Sequence, residues 1–154
     1  MLKKIISGGQ TGADQGGLEA GRELGLETGG TAPFDWMTAE GSKPELLKSY
    51  GLVAGPYDVR KYPMRTKLNV KNSDGTVLFG KMDSPGCKLT INLASLLNKP
   101  YIANPSPKTL ALWIVENKVE ALNIAGNREH KNTGIKEKTK STIKAAYQLL
   151  ISLC

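Results

Sequence analysis

The most chemically suggestive stretch of this chain is SGGQTGAD, residues 7–14, which lies between a short apolar run and a segment with helical periodicity. A strand that leads through a glycine-rich turn into a helix directs backbone N–H groups and the positive end of the helix dipole at one place. Glycines in such a turn allow left-handed backbone angles and the close approach of a ligand. The stretch therefore predicts an anion site formed by Gly8, Gly9, Gln10, Thr11 and Gly12.

The same stretch is also consistent with a purely structural turn, in which the glycines only reverse the chain and Asp14 caps the helix. Its spacing is not that of the dinucleotide-binding fingerprint, and no Gly-Lys-Ser/Thr follows it as in a Walker loop. From this stretch alone, both interpretations stay open.

A second polar stretch is RTKLNVKNSDGT, residues 65–76. Arg65 and Asn69 are spaced i,i+4, so a helix would present both on one face. Ser73, Asp74 and Gly75 then lead into an apolar strand, and we expect this stretch to meet the glycine loop at the same edge of the sheet. The alternative is a solvated helix that ends in an Asp-Gly turn.

Two further helix starts follow predicted strands. In SPGCKLT, residues 84–90, Gly86 and Lys88 mark a second anion-facing terminus, although a plain loop is the alternative. No histidine or carboxylate is placed by the local sequence to activate Cys87, so we expect an inert thiol.

The last polar stretch is NIAGNREHKNTGI, residues 123–135, which leaves a strand and enters the final helix. Arg128 carries a permanently charged fork of donors that suits an oxyanion, and Glu129 follows it. A solvated charged loop is the alternative. The single histidine, His130, has no companion ligands at metal-binding spacing, so a zinc site is not expected.

Apolar periodicity indicates a strand, helix, strand alternation along the whole chain. Predicted strands are Lys3–Ser7, Thr76–Phe79, Pro100–Ala103, Ala121–Ala125 and, more weakly, Glu27–Thr31. Predicted helices are Asp14–Gly25, Gly86–Asn98, Pro107–Asn117 and Gly134–Leu153. This alternation predicts an α/β fold with an open parallel sheet, in which ligands bind beyond the carboxyl ends of the strands. Residues 33–64, which contain four prolines, are expected to form an irregular, functional or mobile segment.

Composition sets the remaining expectations. The chain has 154 residues, 40% hydrophobic and 23% charged, which suits one soluble domain. Its net charge of +7 favours anionic partners. The lysines are scattered without interleaved aromatic residues, so a nucleic-acid partner is not expected. No run is apolar enough for a membrane helix, and the two cysteines with no signal-peptide core indicate a cytoplasmic protein.

In their order along the chain, the four polar stretches resemble the motifs of the molybdenum carrier proteins, also called molybdenum cofactor carrier proteins. The matching segments are SGGQTGAD, RTKLNVKNSDGT, PGCKLT and NIAGNRE. The resemblance spans nearly the whole chain, and four ordered motifs are far more specific than one glycine loop. The chain departs from the pattern in two segments: Pro85-Gly86-Cys87 replaces a run of glycine and small hydroxyl residues, and Asn127 replaces proline.

The resemblance implies a Rossmann-like domain over residues 1–154 that holds the molybdenum cofactor, protects it and delivers it. It also implies a homodimer or homotetramer, molybdoenzymes or cofactor-synthesis proteins as partners, and molybdate or tungstate as related ligands. A terminal phosphate, an oxygen-rich metal centre and a planar pterin suit a basic, glycine-lined cleft without a protein metal ligand. By the resemblance, the cofactor-binding residues are Gly8, Gly9, Gln10, Thr11, Gly12, Arg65, Asn69, Ser73, Asp74, Gly75, Gly86, Lys88, Arg128 and Glu129.

A hydrolase that acts on a nucleotide or phosphoribosyl compound is the alternative function. Such enzymes of the wider superfamily have a Gly-Gly-x-Gly-Thr-x-x-Glu motif, and its glutamate performs the chemistry. The corresponding stretch here, GCKLTINLA, contains no acidic residue, which disfavours the alternative. Asp14, Asp74 and Glu129 are still available as an acid or base. A binding protein without catalytic residues is therefore the preferred interpretation.

Overall fold

The structure, a computed structural model, describes residues 1–57 and 62–153. In this part of the chain, the strands are β1 (Lys4–Ser7), β2 (Glu27–Ala32), β3 (Met37–Thr38), β4 (Gly41–Ser42), β5 (Leu52–Ala54), β6 (Gly75–Phe79), β7 (Tyr101–Ala103) and β8 (Ala121–Gly126). The helices are α1 (Ala13–Glu23), α2 (Pro44–Ser49), α3 (Tyr62–Lys71), α4 (Pro85–Leu96), α5 (Pro107–Glu116) and α6 (Ile135–Ser152).

Six of the strands form one parallel sheet in the order β5-β2-β1-β8-β6-β7. The last strand in the sequence, β8, lies in the middle and pairs with β1 on one side and β6 on the other. Strands β3 and β4 form a separate antiparallel hairpin. The described fold is a single Rossmann-like α/β domain, which confirms the predicted fold class.

The sheet is buried by helices on both faces. Helices α1, α5 and α6 pack side by side, and α3 packs against α4. Every residue of β6 is buried, as its continuous apolar sequence predicts for a strand covered on both faces. Helix α1 lies close to the sheet because it carries glycines: a Cβ at Gly17 would lie 2.6 Å from the side chain of Ile124.

The predicted strands and helices are all present, with ends that differ by a few residues. The segment 33–64, which was predicted to be irregular, is irregular only in part. It contains the hairpin β3–β4, helix α2 and strand β5, and its residues 58–61 lie outside the described residues. Helix α2 and β5 belong to a second apolar cluster, in which Leu47 and Leu52 pack with Leu18 of α1. Short elements of this kind give too few periodic positions to stand out in the sequence.

Candidate functional site

A cleft opens at the carboxyl edge of the sheet, where β1 and β8 end. Its volume is about 320 Å³. The loop after β1 and the carboxyl half of β8 form its floor, and the first turns of α3 and α4 form its walls. Its polar lining residues include Gln10, Asp14, Arg65, Asn69, Asn123 and Arg128. The cleft thus lies beyond the carboxyl ends of the strands, where the predicted fold class binds its ligands.

The glycine loop is organised around the carboxylate of Asp14. The N–H of Gln10 donates to Asp14 Oδ2 at 3.2 Å, and Arg65 Nη1 lies 3.5 Å from the same oxygen. Asp14 is buried. Burial raises the pKa of its carboxyl, whereas Arg65 and the N–H groups of Gln10 and Gly8 oppose that rise. Asp14 thus provides a negative group inside the turn, and it lies in the first turn of α1, whose N-cap residue is Gly12.

Two other donors of this loop also have partners within the chain. The N–H of Gly9 donates to Ser7 Oγ at 3.2 Å, and the N–H of Thr11 donates to Gln10 Oε1 at 3.0 Å. Gln10 Oε1 also accepts from the N–H of Ala39 at 2.7 Å, which fastens the β3–β4 hairpin to the loop. The N–H groups of Gly9, Gln10 and Thr11 are thus engaged within the chain.

Two glycines of the loop make room for neighbouring chain rather than for a ligand. A Cβ at Gly9 would lie 2.7 Å from Leu47 Cδ2. Gly12, with a φ of 82°, lies against the backbone of residues 127–129, and a Cβ there would be 2.7 Å from the N of Glu129. Thr11 and Gly12 face a neighbouring cavity of about 360 Å³. Gly9 and Gly12 thus allow close packing of neighbouring segments, and the binding role of the loop stays a prediction.

Gly8 serves the cleft directly. A Cβ at this position would overlap the guanidinium of Arg65 and lie 3.2 Å from Asp14 Oδ2. The missing side chain therefore creates the space in which Arg65 lies beside Asp14. Gly8, Arg65 and Asp14 all line the cleft, so the first two polar stretches of the sequence meet there as predicted.

The second stretch divides between the two edges of the sheet. Asn69 lines the cleft, and its amide holds the backbone of Thr31 through bonds of 2.8 Å from the N–H and 2.9 Å to the carbonyl. Ser73, Asp74 and Gly75 instead lie at the opposite, amino edge of the sheet, where Asp74 Oδ2 accepts from the N–H groups of Glu120 and Ala121. These three residues are not part of the cleft wall, because α3 runs from one edge of the sheet to the other.

The start of α4 contributes its backbone rather than its lysine. Ser84 caps the helix by accepting from the N–H of Cys87 at 3.3 Å. Gly86 lines the cleft, and a Cβ there would meet no atom within 4 Å, so a ligand can approach its backbone. Lys88 is exposed and outside the cleft lining. Burial raises the pKa of the Cys87 thiol, which is the direction expected for an inert cysteine.

Asn127 connects the loop after β8 to the loop before α4. Its Oδ1 accepts from the N–H of Lys81 at 2.6 Å, and its Nδ2 donates to the carbonyl of Lys81 at 3.2 Å. These two hydrogen bonds require a side-chain amide, which Asn127 has and the proline of the family motif lacks.

Arg128 and Glu129 have different surroundings despite being adjacent. Arg128 lines the cleft. Glu129 lies at the neighbouring cavity and accepts from the N–H groups of Gly134 at 2.7 Å and Lys136 at 3.0 Å. These bonds lower the pKa of its carboxyl. Glu129 therefore caps the start of α6, and it lies outside the lining of the cleft.

Sequence reasoning missed several residues of the cleft. Asn123 is buried in the floor and donates from Nδ2 to Thr76 Oγ1 at 3.2 Å. Thr66 and Thr90 also line the cleft. The signal for Asn123 was available, since it is the one amide in the otherwise apolar strand ALNIAG, and a buried polar group in a strand requires a polar partner.

Within residues 1–57 and 62–153, no group of three or more His, Cys, Asp or Glu side chains could hold a metal ion. None of the helices in this part of the chain is long and apolar enough to cross a membrane.

A parallel sheet with helices on both faces and a polar cleft at its carboxyl edge defines a Rossmann-like protein. Residues 5–147 match the model of the circularly permutated YpsA SLOG family. This chain belongs to that family.

Two solved structures are similar to this chain. One is the crystal structure of a "Putative molybdenum carrier protein" from Syntrophus aciditrophicus SB, which is 32% identical, covers 94% of each chain and has a TM-score of 0.84. The other, of (E)-4-hydroxy-3-methyl-but-2-enyl diphosphate reductase, is 15% identical, covers 93% of this chain and 59% of that chain, and has a TM-score of 0.43. Among curated proteins, none matches this chain significantly in sequence.

Proposed function

We propose that this protein binds the molybdenum cofactor, or a related pterin phosphate or molybdenum oxyanion, and that it protects and delivers this ligand. The observation that carries the proposal is the cleft of about 320 Å³ in which Arg65 and Arg128 both take part. Its support from outside is the similarity over 94% of the chain to a protein called a molybdenum carrier.

The chemistry of the cleft suits such a ligand. Arginine offers paired donors that match the oxygens of a phosphate or of a metal oxyanion. Asp14 lies beside Arg65 and shares that part of the cleft. We expect the anionic group to lie near Arg128 and Gly86, which both line the cleft, because the space beside the backbone of Gly86 is open. The molybdenum centre enters as part of the cargo, so the protein need not supply a metal ligand.

The proposal includes a cytoplasmic location, a homodimer or homotetramer, and transfer of the ligand to molybdoenzymes or from cofactor-synthesis proteins. Light scattering of the purified protein measures the oligomer. The identity of the ligand is tested most directly by mass spectrometry and metal analysis of whatever co-purifies with the protein. A pterin phosphate with molybdenum or tungsten is the expected result, and a nucleotide in its place would contradict the proposal.

Arg128 provides the sharpest test of the site. Arg128→Ala should weaken binding of the purified cofactor about ten- to a hundredfold, because a charge-assisted contact is lost. Arg128→Lys should recover only part of the loss, since an ammonium cannot make a bidentate contact. Calorimetric titration measures both effects, and thermal melts check that the fold is retained.

Lys131→Ala is the matched control, since Lys131 is an exposed cation of the same loop outside the cleft lining. It should bind the cofactor like the wild type. Equal affinity in Arg128→Ala and the wild type would place Arg128 outside the binding site.

A second candidate function, hydrolysis of a nucleotide or phosphoribosyl compound, has one observation in its favour. The carboxyl of Asp14 lines the cleft, and burial raises its pKa toward the range of a general acid or base. Turnover of a nucleoside monophosphate panel that disappears in Asp14→Asn would support this function. If no nucleoside monophosphate is hydrolysed above the uncatalysed rate, the result contradicts this second function and the carrier proposal stands.

A further inference from the structure

The floor of the cleft contains the buried amide of Asn123, whose side chain is only half engaged within the protein. Asn123 lines the cleft and is 3% exposed. It lies beside Thr76 in the parallel register of β6 and β8, so both side chains leave the same face of the sheet. Its Nδ2 donates to Thr76 Oγ1 at 3.2 Å. The donor end of the amide is therefore held by the neighbouring strand.

The acceptor end of the same amide, Oδ1, has a different situation. Within residues 1–57 and 62–153, Asn123 Oδ1 accepts no hydrogen bond. It is also not sealed inside the protein, as a fully buried atom without a partner would be. Because the side chain lines the cleft, Oδ1 is an acceptor that a group inside the cleft can reach.

Asn69 is a second buried amide of the cleft lining, and its contacts show the difference. Its Oδ1 accepts from the N–H of Thr31 at 2.8 Å, and its Nδ2 donates to the carbonyl of Thr31 at 2.9 Å. Both ends of this amide hold β2 against α3. A buried acceptor without a donor costs free energy, so Asn123 favours a ligand group that brings an N–H to the floor.

The chemistry of an amide oxygen decides which part of a ligand can lie at the floor. Such an oxygen only accepts hydrogen bonds. The oxygens of a phosphate or a molybdate are acceptors as well, so the floor repels them and they are better placed near Arg128. A nitrogen heterocycle supplies the missing donor from a ring N–H or an amino group. Leu89 and Ala125 give it apolar surface in the same lining, and a few placed polar groups orient a ligand in such a pocket.

We propose that Asn123 selects a nitrogen heterocycle by accepting a hydrogen bond from the ring at Oδ1, and that Thr76 is a positioning residue that holds the amide in this orientation. This inference rests on the proposed function and narrows it. It selects a heterocycle joined to an anionic group, such as a pterin phosphate, over a free oxyanion. Both residues belong to the polar stretches of the sequence, and neither was among the predicted cofactor-binding residues.

The test compares two probes that share anionic chemistry and differ in the ring. They are 6-hydroxymethylpterin phosphate, followed by its own fluorescence, and molybdate, followed by calorimetry. Asn123→Leu removes the amide and keeps a side chain of similar size. Thr76→Val removes the hydroxyl that holds the amide, and Thr76→Ser keeps it. Asn117→Leu is the matched control, because it also removes one amide bond, from Asn117 Nδ2 to the carbonyl of Trp113 at 2.9 Å, outside the cleft lining.

Asn123→Leu should weaken binding of the pterin phosphate about tenfold, because the ring loses its acceptor. Thr76→Val should weaken it about threefold, since the amide remains but is no longer held. Thr76→Ser should bind like the wild type. Molybdate should bind equally well to all variants, and Asn117→Leu should match the wild type with both probes. Thermal melts check the fold, and if Asn123→Leu does not fold, the contrast between Thr76→Val and Thr76→Ser decides.

Two results would overturn the inference while the proposed function stands. They are unchanged pterin affinity in both Asn123→Leu and Thr76→Val, and an equal loss for the pterin phosphate and molybdate in these variants. An equal loss of pterin affinity in Thr76→Val and Thr76→Ser would overturn the positioning role of Thr76. A wild-type protein that binds neither the pterin phosphate nor molybdate would overturn the proposed function together with the inference.

Discussion

Each edge of the sheet has an aspartate that accepts backbone N–H groups, but the two aspartates have different surroundings. At the amino edge, Asp74 accepts from two backbone N–H groups and is exposed. At the carboxyl edge, Asp14 also accepts backbone N–H groups, but it is buried, its pKa is raised, and it lies beside Arg65 in the cleft. The difference shows that burial and a charged neighbour, rather than the hydrogen bonds, separate a candidate site from a plain turn.

The largest expected effect concerns the backbone of the carboxyl edge. Gly12→Ala should destabilise the protein by about 3 kcal/mol, because Gly12 has a left-handed φ of 82° and lies against the backbone of residues 127–129. The free energy of unfolding in urea measures the change.

Gly86→Ala is the matched control for this effect. Gly86 lies in the first turn of α4 at the same edge, with open space where a Cβ would go. Its stability should equal or slightly exceed that of the wild type, since alanine favours the helix. A cost at Gly86 as large as that at Gly12 would contradict the close packing of the two loops.

The second prediction concerns how the contribution of Asp14 to stability depends on pH. The folded pKa of Asp14 is raised above the unfolded value of about 3.9. Its contribution to stability is therefore present at low pH and is lost as the pH rises through the folded pKa, by up to about 1.4 kcal/mol per pH unit. Asp14→Asn should remove this dependence.

The measurement is the difference in unfolding free energy between the wild type and Asp14→Asn from about pH 4 upward, over the range that the raised pKa defines. As the pH rises, the variant should gain on the wild type. A difference that stays constant over this range would mean that Asp14 is not destabilised by its burial.

The third prediction addresses the amino edge alone. Asp74→Ala should cost about 1 kcal/mol of stability, because two backbone N–H groups lose their acceptor at an exposed position. Cofactor affinity should not change, because Asp74 lies at the opposite edge from the cleft. A weaker affinity in calorimetric titration, with the fold intact, would mean that this turn contributes to cofactor binding.

The smallest effect is expected at Lys88. Lys88→Ala should leave both stability and cofactor affinity within a few tenths of a kcal/mol, as for a solvated surface lysine. Titration and urea unfolding check both values. A tenfold loss of affinity would mean that the lysine reaches the ligand from outside the cleft lining.

The sequence predicted the fold well because periodicity and strand alternation are local properties. It also predicted that Arg65 and Asn69 share a face, since an i,i+4 spacing fixes that within one helix. It misplaced Ser73, Asp74 and Gly75, because α3 has ten residues and a helix of that length spans about 15 Å. Motif continuity in the sequence therefore does not mean continuity in space.

The remaining site residues depended on contacts that no local pattern contains. Gly9 and Gly12 are required by side chains and backbone from distant parts of the chain. Glu129 is adjacent to a cleft residue, yet its carboxylate caps α6. Such roles follow from the packing of whole elements, so they become visible only in the structure.

The central position of β8 has a consequence for how the protein is made. Strands β5, β2 and β1 form one half of the sheet and β6 and β7 the other, and β8 joins them. During synthesis, each half presents an unpaired strand edge until residues 121–126 leave the ribosome, which exposes it to wrong pairing. The cleft floor is completed by that same strand, so the cleft forms in a nascent chain only after residues 121–126 have been synthesised.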